Sequence, residues 1–272
     1  MFSPIGIFDS GYGGLTVMRE IIKTLPQYDY IYLGDNARSP YGPRSFEAVY
    51  KYTLQAVEWL FNNNCQLVIL ACNTSSAKAL RTIQQKDLQN IAPEKRVLGV
   101  IRPLTECVGI YTLNRHIGIL GTAGTVASRS YPIEINKFFP DITVIQEACP
   151  IWVPLVENGE YSSDGADYFI RKHLDNIFKI DPKIDAIVLG CTHYPLLLNK
   201  IRKFIPSNVN IISQGEIVSH SLVDYLKRHS EMEIKLSKNA NLQFFTTDST
   251  EIFDSQASIF LGKIVKSEKV GY

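Results

Sequence analysis

Two cysteines occupy the same kind of position in two distant parts of the chain. Cys72 follows the apolar run 67–71, and Cys191 follows the apolar run 186–190; small polar residues come directly after each cysteine. A short apolar run that is rich in β-branched residues and bounded by turn-forming residues predicts a buried parallel strand. Because ligands bind at the carboxyl ends of the strands in open parallel sheets, we expect both thiols to lie at one site between two similar halves.

Several reactions use cysteine, and the presence of two equivalent thiols discriminates among them. A cysteine hydrolase needs one nucleophile, a base and an oxyanion hole, so a second thiol is superfluous. A redox pair is typically CxxC, and a zinc site formed by two cysteines and His193 would have a weak ligand pattern. A racemase removes a proton from one face of a carbon and returns one to the other, which requires two opposed acid/base groups. Two facing thiols therefore favour proton transfer at carbon.

Three polar residues are candidates for tuning these thiols. Asp9 ends the first predicted strand, Glu157 follows an apolar segment bent by prolines, and His193 stands two residues after Cys191. Thiols serve as bases only if burial and neighbouring charges bring one of them toward the thiolate near neutral pH. Alternatively, Asp9 caps a turn and Glu157 is a solvated surface residue. The other histidines are predicted to be surface or capping residues: His116, His173, His220 and His229.

Two loops near strand ends are candidates for ligand contacts. The glycine-rich loop 11–14 resembles a dinucleotide loop, but G-x-G-x-x-G would need glycine at position 16, where Thr16 stands, and the GK[ST] ending of a phosphate loop is absent. The loop 35–44 contains Pro40 and Pro43, which stiffen it and make it a suitable wall for a small pocket. A purely structural turn remains an alternative for the second loop.

The order of the predicted elements indicates an α/β fold with two pseudo-symmetric halves. The segment 5–8 is matched by the segment 117–120, and each precedes one of the two cysteines at a similar distance. Such a pattern is typical of a degenerate repeat, although βα turns also resemble each other because they favour small residues. Strands alternate with helices from residue 97 to 212, which predicts parallel βαβ units. We therefore expect two Rossmann-like or flavodoxin-like domains with mainly parallel sheets and an active site in the cleft between them.

The C-terminal 60 or so residues contain too few elements for a domain of their own, so we expect them to complete the first half. The predicted domains are 1–97 together with 213–272, and 98–212.

The composition excludes several classes of protein. The chain has 272 residues, of which 45% are hydrophobic and 20% charged, with a net charge of +1. These values are ordinary for a globular protein and make nucleic acid and anionic membrane poor candidates for the main partner. The sequence contains neither an apolar stretch long enough for a membrane span nor a signal-peptide pattern. Five scattered cysteines without CxxC predict free thiols in a reducing cytoplasm and no structural zinc site.

Six motifs in the same order closely resemble those of the bacterial glutamate racemases, which belong to the cofactor-independent aspartate/glutamate racemase superfamily. The motifs are 8–14 (FDSGYGG), 35–42 (DNARSPYG), 71–75 (ACNTS), 121–125 (GTAGT), 154–159 (PLVENG) and 190–195 (GCTHYP). The resemblance implies interconversion of L-glutamate and D-glutamate without pyridoxal phosphate or metal. It further implies a cytoplasmic homodimer whose D-glutamate supplies peptidoglycan synthesis.

Site residues follow from the resemblance motif by motif. Cys72 and Cys191 correspond to the two acid/base thiols, assisted by Asp9, Glu157 and His193. By the family's pattern, Cys72 abstracts the proton of the D-isomer and Cys191 that of the L-isomer. Thr122 is a further candidate for a substrate contact. The expected substrate-binding residues are Asp9, Ser10, Tyr41, Gly42, Asn73, Thr74, Thr192 and His193.

One motif departs from the family, and two questions stay open. Relatives usually have Asp-Ser-Gly after the strand 209–212, whereas this chain has Ser213-Gln214-Gly215, which bears on domain motion or regulation more than on the chemistry. Aspartate is a close alternative substrate, because one methylene group contributes only ~1–3 kcal/mol of discrimination. Two alternatives belong to other functional classes. One is a two-lobed protein that binds small acids without turnover, and the other is a cysteine hydrolase.

Overall fold

Two parallel β-sheets form the framework of the protein. The structure is a computed structural model that describes residues 2–271. The strands are β1 (Ile5–Asp9), β2 (Tyr30–Gly34), β3 (Leu67–Leu70), β4 (Arg96–Gly99), β5 (His116–Gly121), β6 (Thr143–Ala148), β7 (Ala186–Gly190), β8 (Asn210–Ile212), β9 (Leu242–Thr246) and β10 (Ser267–Lys269). The first sheet has six strands in the order β10-β9-β2-β1-β3-β4, and the second has four in the order β6-β5-β7-β8. Every pair is parallel, so the predicted α/β fold class is confirmed.

Helices connect the parallel strands, as such pairing requires. They are α1 (Leu15–Thr24), α2 (Phe46–Asn62), α3 (Asn73–Lys78), α4 (Leu80–Thr82), α5 (Leu88–Ile91), α6 (Ile101–Thr105), α7 (Ala123–Ser128), α8 (Ser130–Phe138), α9 (Trp152–Glu157), α10 (Asp164–Ile180), α11 (Leu198–Phe204), α12 (Gln214–Arg228), α13 (Ser230–Glu233) and α14 (Thr250–Leu261). A π-helical turn, Ile83–Asp87, lies between α4 and α5. Short 3₁₀ turns cover Asn36–Arg38, Val108–Tyr111, Glu160–Ser162 and Tyr194–Leu197. No helix within residues 2–271 is long and apolar enough to cross a membrane.

The internal repeat predicted from the sequence is visible in the order of the strands. In the first sheet four strands run in the order β2-β1-β3-β4, and the second sheet has the same arrangement as β6-β5-β7-β8. Cys72 follows β3 and Cys191 follows β7, which are equivalent strands of the two sheets. Because β1, β2, β3 and β7 are buried along their whole length, the strand ends that carry these thiols are firmly held.

The chain crosses between the two sheets twice. The first crossing lies between Gly99, the end of β4, and His116, the start of β5; the second begins after Ile212, the end of β8. Helix α6 of the first crossing contacts helix α12 of the second, and both helices line one cavity of about 320 Å³. After α12, strands β9 and β10 extend the six-stranded sheet beside β2. The domain limits 1–97 with 213–272 and 98–212 stay a prediction.

One apolar core runs continuously from one sheet to the other. Ile7 of β1 and Leu189 of β7 belong to the same cluster of buried side chains, which also includes residues of α1 and α12. Burial of one such aliphatic side chain contributes about 1.5–3 kcal/mol. The shared core therefore helps to hold the carboxyl ends of the two sheets near each other.

Several local features differ from the expectations. The proline-bent segment before Glu157 forms helix α9, because Pro154 lies in its first turn, where proline removes no helical hydrogen bond. His173, expected at the surface or as a cap, is buried, and its Nδ1 lies 2.7 Å from Glu147 Oε1.

Candidate active site

The Cys72 thiol lies at the start of helix α3. Its Sγ accepts a hydrogen bond from the Ser75 backbone amide at 3.4 Å, and Ser10 Oγ lies 3.6 Å from it. Cys72 is only 6% exposed. Burial, followed by the nearby Asp9 carboxylate, raises the pKa of Cys72 to about 11 against the opposing hydrogen bonds from Ser75 and Ser10. Cys72 is therefore held as a thiol near neutral pH.

A different set of neighbours surrounds the Cys191 thiol. His193 Nδ1 lies 3.9 Å from Cys191 Sγ, and His193 Nε2 lies 3.0 Å from Glu157 Oε1. Burial lowers the pKa of His193, but the contacts with Cys191 and Glu157 outweigh it and raise the pKa to about 10. The imidazole is therefore protonated at neutral pH. An imidazolium ion beside a sulfur atom stabilises negative charge on that sulfur.

Asp9 interacts with groups on both sides of the site. Its side chain is fully buried at the end of β1; Oδ2 accepts a hydrogen bond from the Gly11 amide at 2.9 Å, and Thr192 donates to Oδ1 at 3.5 Å. Burial raises the pKa of Asp9, although His193 and the backbone amides act in the opposite direction. Since Asp9 interacts electrostatically with both Cys72 and His193, its charge affects both sides of the site.

The start of α1 packs directly against the segment that follows β7. Thr16 Oγ1 donates a hydrogen bond to the Thr192 carbonyl oxygen at 2.9 Å. At Gly13, an added Cβ atom would lie 2.3 Å from Thr192 Oγ1 and 2.5 Å from His193 Nδ1. Only glycine permits this approach, so the segment that carries Asp9 touches the segment that carries Cys191.

The remaining predicted substrate residues lie on both sides of this contact. Ser10, Asn73 and Thr74 are buried, and Thr74 Oγ1 lies 3.0 Å from Thr122 Oγ1 of the opposite half. The structure thus brings the further candidate, Thr122, into contact with Thr74. Gly42 packs against Thr122, because an added Cβ atom would lie 3.0 Å from the Thr122 Cβ.

Tyr41 is buried, and its hydroxyl donates a hydrogen bond to Asp35 Oδ2. This contact fixes the loop 35–44, whose Gly42 backbone faces the second half of the chain. Among residues 2–271, no three His, Cys, Asp or Glu side chains are grouped as ligands for a metal ion.

Two further residues reach the site without any signal in their local sequence that marks them as functional. Tyr131 donates a hydrogen bond to Asn73 Oδ1 at 2.8 Å, and Gln214 in turn contacts the Tyr131 hydroxyl. Tyr131 lies on the buried face of α8 and is indistinguishable in sequence from a core residue. In the sequence, Gln214 stands out only as part of the departure from the family motif at 213–215.

Comparison with known proteins identifies the family. The Asp/Glu/hydantoin racemase family model matches residues 5–218. The chain belongs to this family. The glutamate racemase of Sulfurihydrogenibium sp. is 37% identical to it over 98% of this chain and 96% of that protein. The resemblance inferred from the six motifs is thereby confirmed.

Solved racemase structures share the fold over nearly the whole chain. The glutamate racemase of Bacillus anthracis superposes with a TM-score of 0.89 at 35% identity, covering 99% of this chain and 97% of that one. The glutamate racemase of Francisella tularensis, solved in complex with D-glutamate, gives a TM-score of 0.87 at 33% identity with the same coverage.

Proposed function

We propose that this protein is a glutamate racemase that interconverts L-glutamate and D-glutamate through two cysteine acid/base groups. The observation that carries the proposal is the unequal environment of two equivalent thiols. Both thiols are buried, but Cys191 has the protonated His193 at 3.9 Å, whereas burial and the Asp9 carboxylate raise the pKa of Cys72. One thiol is thus prepared to accept a proton while the other holds one, which is what a two-base racemase requires.

In the direction from L to D, the Cys191 thiolate removes the α-proton and the Cys72 thiol donates its proton to the opposite face of the same carbon. Cys191 ends as a thiol and Cys72 as a thiolate, so charge and protons balance within the turnover. The new Cys72 thiolate is stabilised by the hydrogen bonds from the Ser75 amide and Ser10. The reverse direction exchanges the two roles. This route uses neither pyridoxal phosphate nor metal, in keeping with the family resemblance.

We assign the binding of the two substrate carboxylates to the hydroxyls and amides that surround the thiols. These belong to Ser10, Asn73, Thr74 and Thr192, with Thr122 joined to Thr74 by a hydrogen bond. We propose glutamate and not aspartate as the substrate. The relatives that match over nearly their whole length are named glutamate racemases, and one of them was solved in complex with D-glutamate.

The cellular role that we propose is the supply of D-glutamate for peptidoglycan synthesis, carried out in the cytoplasm by a homodimer. The support for this role is the resemblance to the bacterial glutamate racemases.

The decisive experiment is to incubate the purified protein, stripped of metal and without added cofactor, with L-glutamate in D₂O. Loss of optical rotation together with entry of deuterium at the α-carbon is expected. Cys72→Ser and Cys191→Ser should each lower racemisation by at least about 100-fold while the far-UV circular dichroism spectrum is kept. If glutamate and aspartate both retain their rotation and their α-protons, the proposed function is wrong, and a non-catalytic binder or a hydrolase becomes the better interpretation.

A further inference from the structure

Three buried side chains, linked by hydrogen bonds, connect the start of helix α12 to Asn73, the residue that follows Cys72. Gln214, the first residue of α12, donates a hydrogen bond from Nε2 to the Tyr131 hydroxyl. Tyr131 donates to Asn73 Oδ1 at 2.8 Å. All three side chains are at least 96% buried. Their hydrogen bonds therefore form in a medium of low dielectric constant, where each one is strong and a missing one is costly.

The third side chain, Asn73, has one half of its amide unsatisfied. Its Oδ1 is occupied by Tyr131, whereas no acceptor within residues 2–271 takes a hydrogen bond from its Nδ2. An unpaired buried donor costs about 1–3 kcal/mol and calls for an explanation. Asn73 directly follows Cys72 and belongs to the proposed substrate-binding set, so a substrate carboxylate oxygen is a suitable acceptor.

The hydrogen bond from Tyr131 determines which end of the Asn73 amide has no hydrogen-bond partner. A phenol has a single proton to donate, and burial raises the pKa of Tyr131, so the hydroxyl keeps that proton throughout the neutral range. If the proton goes to Asn73 Oδ1, the Asn73 NH₂ group must face away from Tyr131. The ring of Tyr131 is held in place because it lies within 3.3 Å of where a Cβ atom on Gly190 would be, directly before Cys191.

Gln214 decides in turn where the proton of Tyr131 goes. Its Nε2 group donates to the phenol oxygen and cannot accept the phenol proton, so Asn73 Oδ1 is the remaining acceptor. A side chain at this position that accepts the phenol proton would release the Asn73 amide from its fixed orientation. The departure from the family motif at 213–215 therefore acts on the orientation of a residue beside Cys72.

We propose that Gln214 is a positioning residue that, through Tyr131, fixes the Asn73 amide with its NH₂ group toward a carboxylate of the substrate. This inference rests on the proposed function, because it assigns a role within the same site. Among residues 2–271, Gln214 makes no hydrogen bond with either thiol and acts through Tyr131. Its replacement by an acceptor of the phenol proton should therefore weaken substrate binding while leaving the proton-transfer step unchanged.

The test compares Gln214→Glu, which keeps the length of the side chain but replaces the amide donor with an acceptor for the phenol proton, with the wild-type protein. KM for both enantiomers of glutamate should rise about 3- to 10-fold, the value of one neutral hydrogen bond, while kcat stays within about 2-fold. Gln89→Glu, the same substitution at an exposed position of α5, is the matched control and should leave both parameters unchanged. A merely structural role would lower the melting temperature and the amount of active protein but leave KM unchanged.

Tyr131→Phe provides a second route if Gln214→Glu fails to fold. It should raise KM by a similar factor, and the double variant should lose no more than Tyr131→Phe alone, because both substitutions break the same path. Unchanged KM in Tyr131→Phe, or additive losses in the double variant, would overturn the proposal. If the wild-type protein racemises aspartate and not glutamate, the proposed function is wrong while the same KM comparison with aspartate still decides the role of Gln214. If it racemises neither, both proposals are overturned.

Discussion

Replacing Glu157 by glutamine should move the alkaline limit of activity to lower pH. Glu157 Oε1 lies 3.0 Å from His193 Nε2 and, together with Cys191, raises the pKa of His193 to about 10. Glutamine keeps a hydrogen-bond acceptor but has no charge. A hydrogen bond to a charged group is worth about 1.5–3 kcal/mol, and 1.36 kcal/mol corresponds to one pH unit, so the pKa of His193 should fall by about 1–2 pH units.

The alkaline limit moves to lower pH because the protonated form of His193 is the active form in the proposed mechanism. In the proposed mechanism the imidazolium ion stabilises negative charge on Cys191, and this ion is lost as the pH rises through the pKa of His193. The wild-type protein should keep its kcat/KM up to about pH 10, whereas Glu157→Gln should lose it at lower pH. Burial of His193, which disfavours the charged form, is then opposed by Cys191 and Asp9 without the Glu157 carboxylate.

The assay is kcat/KM for racemisation between pH 6 and 10.5, followed by circular dichroism. The two enantiomers have equal free energy, so kcat/KM must be the same in both directions, and the alkaline limb must move together for L-glutamate and D-glutamate. Glu160→Gln, at an exposed position three residues later, is the control and should leave the profile unchanged. An alkaline limb that stays in place in Glu157→Gln would refute the role assigned to the carboxylate.

Three further substitutions test other parts of the site. Asp9→Asn should lower activity by about 100-fold. It should also raise the melting temperature more at pH 8 than at pH 4. Burial raises the pKa of Asp9 above 3.8, so the stability of the wild-type protein falls as the pH rises through that raised pKa. Gly13→Ala should lower kcat/KM by about 100-fold, because its Cβ would lie 2.3 Å from a hydroxyl oxygen of the opposite segment; Gly165→Ala, whose Cβ would have no contact closer than 3.5 Å, should have no such effect. Thr122→Val should raise KM by about 2- to 10-fold through loss of the hydrogen bond to Thr74, and Thr122→Ser should restore the wild-type value.

The sequence was sufficient to predict the buried central strands and the places of the two thiols at their ends. Strands such as β3 and β7 are buried on both faces, so they appear in the sequence as uninterrupted apolar runs, and the carboxyl end of such a run is where Cys72 and Cys191 lie. His193 and Glu157 were expected to tune the site, and the structure places them in contact with each other. The roles assigned to these residues stay predictions until the variants are measured.

The contacts made between distant segments could not be predicted in this way. Tyr131 has the spacing of a core residue on α8, and nothing near it in the sequence indicates that its hydroxyl reaches Asn73, 58 residues away. His173 is polar and therefore was expected outside, but Glu147 satisfies it in the interior. Strand β10 is a short, polar edge strand of three residues, which carries no hydrophobic pattern to reveal it.

The two crossings between the sheets limit how the protein can open. Helices α6 and α12 lie side by side, so the halves are tethered at two neighbouring points. Two adjacent connections oppose sliding of one sheet past the other. Rotation of the two sheets about the line that joins the connections is then the easiest movement. We therefore expect opening and closing to follow a single arc, which distances between spin labels on the two sheets, measured with and without D-glutamate, would reveal as a rotation free of translation. On such an arc the two sulfur atoms of the proposed mechanism would keep their opposite sides of the substrate through each cycle of opening and closing.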